Sequence, residues 1–228
     1  MRMLCALLAL VPVAACGDDG GGPDAAPIDA LAPDTLPGCG ADVLFTGEYV
    51  EWTSTETEFH GIFEALFTID RTSRTDLTAP NGRVILCLTP GPMVRITATK
   101  ADHTPAVFLA DPEVFTPAGS TFTSRGLTLS ERDANYGALM TGLSFDATRA
   151  QVLVEKRGAA AGFELSGTTT RFAFDGAAWT SGNTGELVLF PNVPIGTGTA
   201  TLSSPDGTFV GPTAIELKAG QLTVVPLR

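Results

Sequence analysis

Residues 81–100 read "NGRVILCLTPGPMVRITATK", and this stretch decides the fold class. Val84, Leu86 and Leu88 alternate with Ile85 and Cys87, a period of two that sends one set to each face of an extended strand. "TPGP" at 89–92 supplies turn chemistry, after which "MVRITATK" resumes an alternating, β-branched run. Upstream, "APNG" at 79–82 is a second turn, with Asn81-Gly82 able to take positive φ. Strand, turn and strand follow one another too quickly for helices.

Outward from this hairpin the same grammar continues. "DVLFTGEYVEW" and "GIFEALFTI" predict strands near 43–50 and 61–69, beside those at 83–89 and 93–99. The second half holds seven more strand-like runs, "AQVLVEKR", "AGFELSG", "TRFAFDG", "GELVLF", "GTATLSS", "TAIELKA" and "LTVVPLR", at spacings that suit a β-sandwich. The chain reads as all-β: two tandem small β-sandwiches, 41–130 and 146–228, joined by a short helix in the connection 131–145. One larger sandwich of some twelve strands is the alternative for a chain of 228 residues. The helix is expected at about 131–141. Ser130 and Asp133 have capping-box spacing, Tyr136, Leu139, Met140 and Leu143 recur at helical spacing, and Gly142 is a stop. Its apolar stripe is expected to dock on the sandwiches.

Set side by side, "TAPNGRVILCLTPGPMVRITATKADHTP" and "TSGNTGELVLFPNVPIGTGTATLSSPDGT" look like divergent copies of one unit. Each has a polar turn ending in Gly (Gly82, Gly185), an alternating strand, a Pro and Gly turn (Pro90-Gly91; Pro194 with Gly196) and another strand. "AAAGFELSG" at 158–166 adds an Ala-Gly before an alternating strand. These patterns resemble the carboxypeptidase regulatory-like domain, which implies a transthyretin-like, seven-stranded sandwich in each half. The first copy lacks the Ala-Gly opening near 61–68.

The N-terminus has a different composition. Arg2 precedes the apolar run "MLCALLALVPVA", which is shorter than the roughly 20 residues a bilayer span needs but suits a signal-peptide core. Val13-Ala14-Ala15-Cys16 then resembles the end of a bacterial lipoprotein signal. The resemblance implies a signal peptide at 1–15 and a diacylglyceryl lipid, with palmitate among the acyl chains, on Cys16. An ordinary signal peptide is the alternative. The tether 16–40 is rich in Gly, Pro, Asp and Ala and cannot bury enough apolar area to offset chain entropy, so disorder is expected. Losing Arg2 takes the formal charge from −11 to −12, and no basic stripe is available, which argues against nucleic acid. The partners expected are therefore a membrane, reached through the lipid, and an unidentified protein or glycan. Gly17 rather than Asp follows Cys16, which favours the outer over the inner membrane of a bacterial cell envelope.

With Cys5 in the signal and Cys16 lipidated, Cys39 and Cys87 remain. Two thiols in an exported chain favour one disulfide, with two free buried cysteines as the alternative. Residues that could carry catalysis are sparse. His60 and His103 are the two histidines, neither lies in a motif, and no nucleophile elbow, zinc spacing or phosphate loop occurs. "DRTSRTD" at 70–76 lacks the Gly and terminal Glu of a calcium loop. No catalytic residue, metal or cofactor is expected. Trp52 and Trp179 could stack on sugar rings if exposed or pack in the core if not. The leading expectation is a lipid-anchored, non-enzymatic envelope protein for binding or scaffolding, ahead of a carbohydrate-binding surface lipoprotein or an accessory subunit of an envelope enzyme.

Overall fold

The computed structural model describes residues 38–228 apart from 56–57, 116–120, 135, 137–142 and 158–160. The signal peptide, Cys16 and nearly all of the tether lie outside the described residues, as do Leu139 and Met140 of the helical stripe.

The first half forms β1 (Val43–Glu51), β2 (Leu66–Ile69), β3 (Thr75–Leu77), β4 (Arg83–Leu88), β5 (Val94–Thr99), β6 (Ala106–Ala110) and β7 (Thr121–Gly126). The second forms β8 (Ala150–Lys156), β9 (Ala161–Gly162), β10 (Glu164–Leu165), β11 (Phe172–Phe174), β12 (Trp179–Ser181), β13 (Thr184–Gly185), β14 (Leu187–Val193), β15 (Thr199–Ser203), β16 (Ala214–Glu216) and β17 (Leu222–Leu227). The protein is all-β.

One plan is used twice. In the first half β1 has β4 antiparallel on one side and β7 parallel on the other. In the second, β8 has β14 antiparallel and β17 parallel. Facing these, β5 lies between β2 and β6, and β15 between β10 and β16, all antiparallel. The repeat read from the sequence, "GRVILCLT" with "GELVLF" and "MVRITATK" with "GTATLSS", thus corresponds to β4 with β14 and β5 with β15.

Besides the connection that contains the helix, the two halves share a sheet. β6 pairs in parallel with β17, fusing both halves into one nine-stranded sheet of order β12-β11-β14-β8-β17-β6-β5-β2-β3. Residues Cys39–Arg228 form one compact unit. The centre of the shared sheet is buried on both faces. Leu153, Leu222 and Val224 join Phe45, Phe108 and Phe115 on one side. Val152, Val154, Val225 and Leu227 join Phe163, Leu202 and Ile215 on the other.

Local departures from expectation have local causes. The helix is α1 (Leu129–Asp133), two residues earlier than its expected start. Its cap is Thr128, whose hydroxyl accepts from Glu131 N–H while the Glu131 carboxylate accepts from Thr128 N–H, so the capping box is Thr128–Glu131 and not Ser130–Asp133. Tyr136 at φ 61° is incompatible with continuing it. The run 61–69 is a strand only from Leu66, because Glu64 sits at φ 56° and Gly61 is pressed against the 81–82 turn. That turn does use positive φ, at Gly82 (77°). Between β6 and α1 the chain forms a 3₁₀ turn at Pro112–Phe115 and then β7.

Candidate functional site

Where β7 ends the upper layer, the shared sheet continues beneath it as β14, β11 and β12, leaving a cleft of about 770 Å³. Two charged side chains line this cleft although each residue is only 5% exposed: Arg125 from β7 and Glu155 from β8. Alternation explains Glu155. It lies two residues after Leu153, so it faces the upper layer, between Leu187 of β14 and Pro226 of β17.

Arg125 pins three chain segments together. Its Nη1 donates to the carbonyls of Trp52 (3.2 Å), Glu51 (3.4 Å) and Ser54, and its guanidinium lies 4.1 Å from the centroid of the Phe174 ring. Burial brings its pKa down to about 10, against the pull of Glu155. The Glu155 carboxyl is pushed up to about 8, chiefly by burial. Thr123 N–H, the neighbouring Ser124 hydroxyl and the Arg125 charge oppose that rise, and Glu186 adds to it. Arg125 Nε and Glu155 Oε2 remain buried without a hydrogen-bond partner among the described residues. Buried polar groups are paired in the great majority of cases, so two orphans lining one cleft mark it out.

Sequence reasoning missed both residues. The available signal was a Glu at an inward position of a run apolar on both faces, "AQVLVEKR".

The residues singled out from sequence lie elsewhere. Cys39 and Cys87 form a disulfide with Cα atoms 5.4 Å apart, tying the chain before β1 to β4. Beside it, Arg74 donates to the Cys87 carbonyl (2.7 Å) and pairs with Asp42. Trp52 and Trp179 are buried, 0% and 6% exposed, and stack on each other at 5.0 Å and 7° between planes. They join the two halves and present no face to a sugar, which removes the feature on which the carbohydrate reading rested.

His103 is buried between two carboxylates, its Nδ1 2.7 Å from Asp102 and its Nε2 3.3 Å from Glu51. His60 is exposed, and its backbone exchanges hydrogen bonds with the Ser54 hydroxyl. Among the described residues no group of three or more His, Cys, Asp or Glu side chains is placed to hold a metal. No helix among them is long and apolar enough to cross a membrane.

No family model matches the chain, and no curated protein does. Solved structures give distant all-β likenesses. A point mutant of the shaft pilin spaA from Lactobacillus rhamnosus GG is 9% identical, with 82% of this chain and 97% of that one covered at a TM-score of 0.28. The minor pilin GBS52 of Streptococcus agalactiae is 12% identical, with 81% and 94% covered at 0.24. The Bacillus anthracis TIE protein is 10% identical, with 82% and 34% covered at 0.26. None reaches a score at which a role or a residue transfers.

Proposed function

We propose that this chain is a lipid-anchored, non-enzymatic protein of a bacterial cell envelope, in which two fused, transthyretin-like sandwiches serve binding or scaffolding. The cysteine arrangement carries the reading. Of four cysteines, one lies in the apolar N-terminal run, one follows Val13-Ala14-Ala15, and the other two are bonded to each other. A disulfide suits an oxidising compartment, which is where an exported chain would be. The Gly, Pro and Asp composition of 17–37 suits a spacer between lipid and folded part.

The test is detergent phase partitioning with mass spectrometry of the N-terminal peptide. Wild type is expected in the detergent phase with an acylated Cys16, and Cys16→Ser in the aqueous phase with an unchanged circular dichroism spectrum. Each buried methylene contributes about 0.8 kcal/mol to membrane binding, so the separation should be clear. An unmodified Cys16 in native membranes would sink the anchoring. Scaffolding would fail if the purified chain turned over a substrate.

A further inference from the structure

The cleft beside β7 holds a cation that nothing among the described residues neutralises by direct contact. Arg125 bonds to three carbonyls and a ring face, and its Nε–H is buried and unused. Glu155, whose Oε2 is also buried and unused, lines the same cleft. An acidic oxygen that keeps its proton is a donor, so the cleft offers two buried donors without a partner, Arg125 Nε–H and the Glu155 carboxyl. Lys156 and Arg157 stand along the rim with Asp175 and Glu186. A doubly charged anion would meet repulsion from those two acids, whereas a single negative charge balances Arg125. The apolar part of the floor, Phe174, Ala173 and Leu187, suits a hydrocarbon stem behind the charge.

We propose that this cleft binds a carboxylate, its oxygens set against Arg125 Nε–H and the Glu155 carboxyl group. The carboxylate comes from a small organic acid or from the free C-terminus of a peptide. The inference does not depend on the lipid anchor and fails or stands separately from it.

A pH dependence follows. Glu155 faces Arg125 and the Thr123 and Ser124 groups of β7, with Glu186 acting from the residue before β14. Once it ionises, near pH 8, its charge opposes the ligand, so affinity should fall roughly tenfold between pH 7 and pH 9.

Titration calorimetry on the intact chain in detergent tests this with butyrate, acetyl-trialanine, the C-terminal amide of that peptide, and inorganic phosphate. Binding of butyrate and the peptide acid, each weaker by about tenfold at pH 9, with none by the amide, is the expected result. Binding by the peptide acid alone would support the site and assign it to a peptide terminus. Equal binding of acid and amide, tighter binding of phosphate than of either acid, or no binding by any probe would overturn the proposal. Arg125→Lys should abolish binding but also disturbs the pin on 51–54. Glu155→Gln is the cleaner variant: a neutral donor remains, so binding at pH 7 should stay within about threefold of wild type and the fall at pH 9 should vanish. A Glu155→Gln chain whose affinity still fell tenfold would overturn the role of Glu155.

Discussion

β7 and β17 occupy the same place in the repeated plan, each parallel to the first strand of its half, yet their surroundings differ. β17 is buried at all six positions because β6 covers its outer edge and both faces of the sheet are packed. β7 alternates at its start, with Thr121 and Thr123 exposed and Phe122 and Ser124 buried, because one of its faces is packed there and the other is not, and among the described residues no strand pairs with its outer edge. There the Thr123 N–H is met by a side chain from the other half, the Glu155 carboxyl. One position in a fold can thus be closed by a neighbouring strand or by a single acid, and the acid leaves a cleft. Pro226 fits this picture. Pairing of β17 with β6 stops at Val224, while pairing with β8 runs on to Leu227, so the missing N–H costs no ladder bond.

The comparison breaks most sharply at the seam. Val224 is fully buried between Phe108 of β6 and Leu153 of β8. Val224→Asp should cost more than about 4 kcal/mol, since it buries an unpaired charge. Thr121→Asp, on the exposed part of β7, should stay within about 0.5 kcal/mol. Urea denaturation followed by fluorescence of the stacked Trp52 and Trp179 reads both. Because the halves share a sheet, wild type should unfold in one transition; two separated transitions would show that the seam does not couple them.

Next in size is a device that only the first half has. The Cys39–Cys87 disulfide spans a sequence separation of 48, for which loop entropy gives a stabilisation of about 4 kcal/mol as an upper figure. Cys39→Ser with Cys87→Ser should lower the urea midpoint by a corresponding amount, and reductant should then have no further effect. A midpoint unchanged by the double substitution would show that contacts such as Arg74 with Asp42 hold β1 to β4 unaided.

What the sequence disclosed follows from exposure. β4 and β5 each have less-covered residues on one face, so their alternation was readable, and so was the repeat built on it. β6 is buried at all five positions, and "AVFLA" carries no period to read. Its partnership with β17 is a long-range pairing between two such aperiodic runs, so fusion of the halves left no local trace. The disulfide was legible because subtraction left two cysteines. The cleft was not, because Arg125 and Glu155 lie 30 positions apart and meet only through the seam. The capping box was misplaced because "TLSERD" offers two acids at the right spacing, and packing chose Glu131.

Glu155 provides a third, smaller test. A carboxyl raised in the folded state makes that state bind more protons than the unfolded chain between its ordinary 4.5 and about 8. Stability therefore falls as pH rises through that window and levels off above it. Glu155→Gln should remove this slope, being more stable than wild type by several kcal/mol at pH 9 and equal to it at pH 4. Parallel profiles for the two chains would show that Glu155 is ionised in the fold.

The smallest effect is expected at His103, and it sharpens the contrast between an acid buried without a full set of partners and a base that has them. Burial of the imidazole lowers its pKa, but its bonds to Glu51 and Asp102 and their charges outweigh that, so the value lies above the ordinary 6.5. Through Asp102, whose carbonyl accepts from Leu129 N–H, and through the bridge between His103 and Thr128, the same loop positions the start of α1. The sign is opposite to a paired carboxylate: the contribution is complete below pH 6.5 and is lost as pH rises through the raised folded value. His103→Gln should cost about 1 kcal/mol at pH 6, the scale of one net hydrogen bond, and close to nothing extra once wild-type His103 has lost its proton. The two windows separate the two groups, because the Glu155 slope begins near pH 4.5 and survives in His103→Gln, while the His103 slope begins only above 6.5 and survives in Glu155→Gln. The double variant should be flat across both. A His103→Gln chain whose deficit relative to wild type stayed constant from pH 6 to pH 9 would mean that the neutral imidazole, and not its charge, holds Glu51 and Asp102 together.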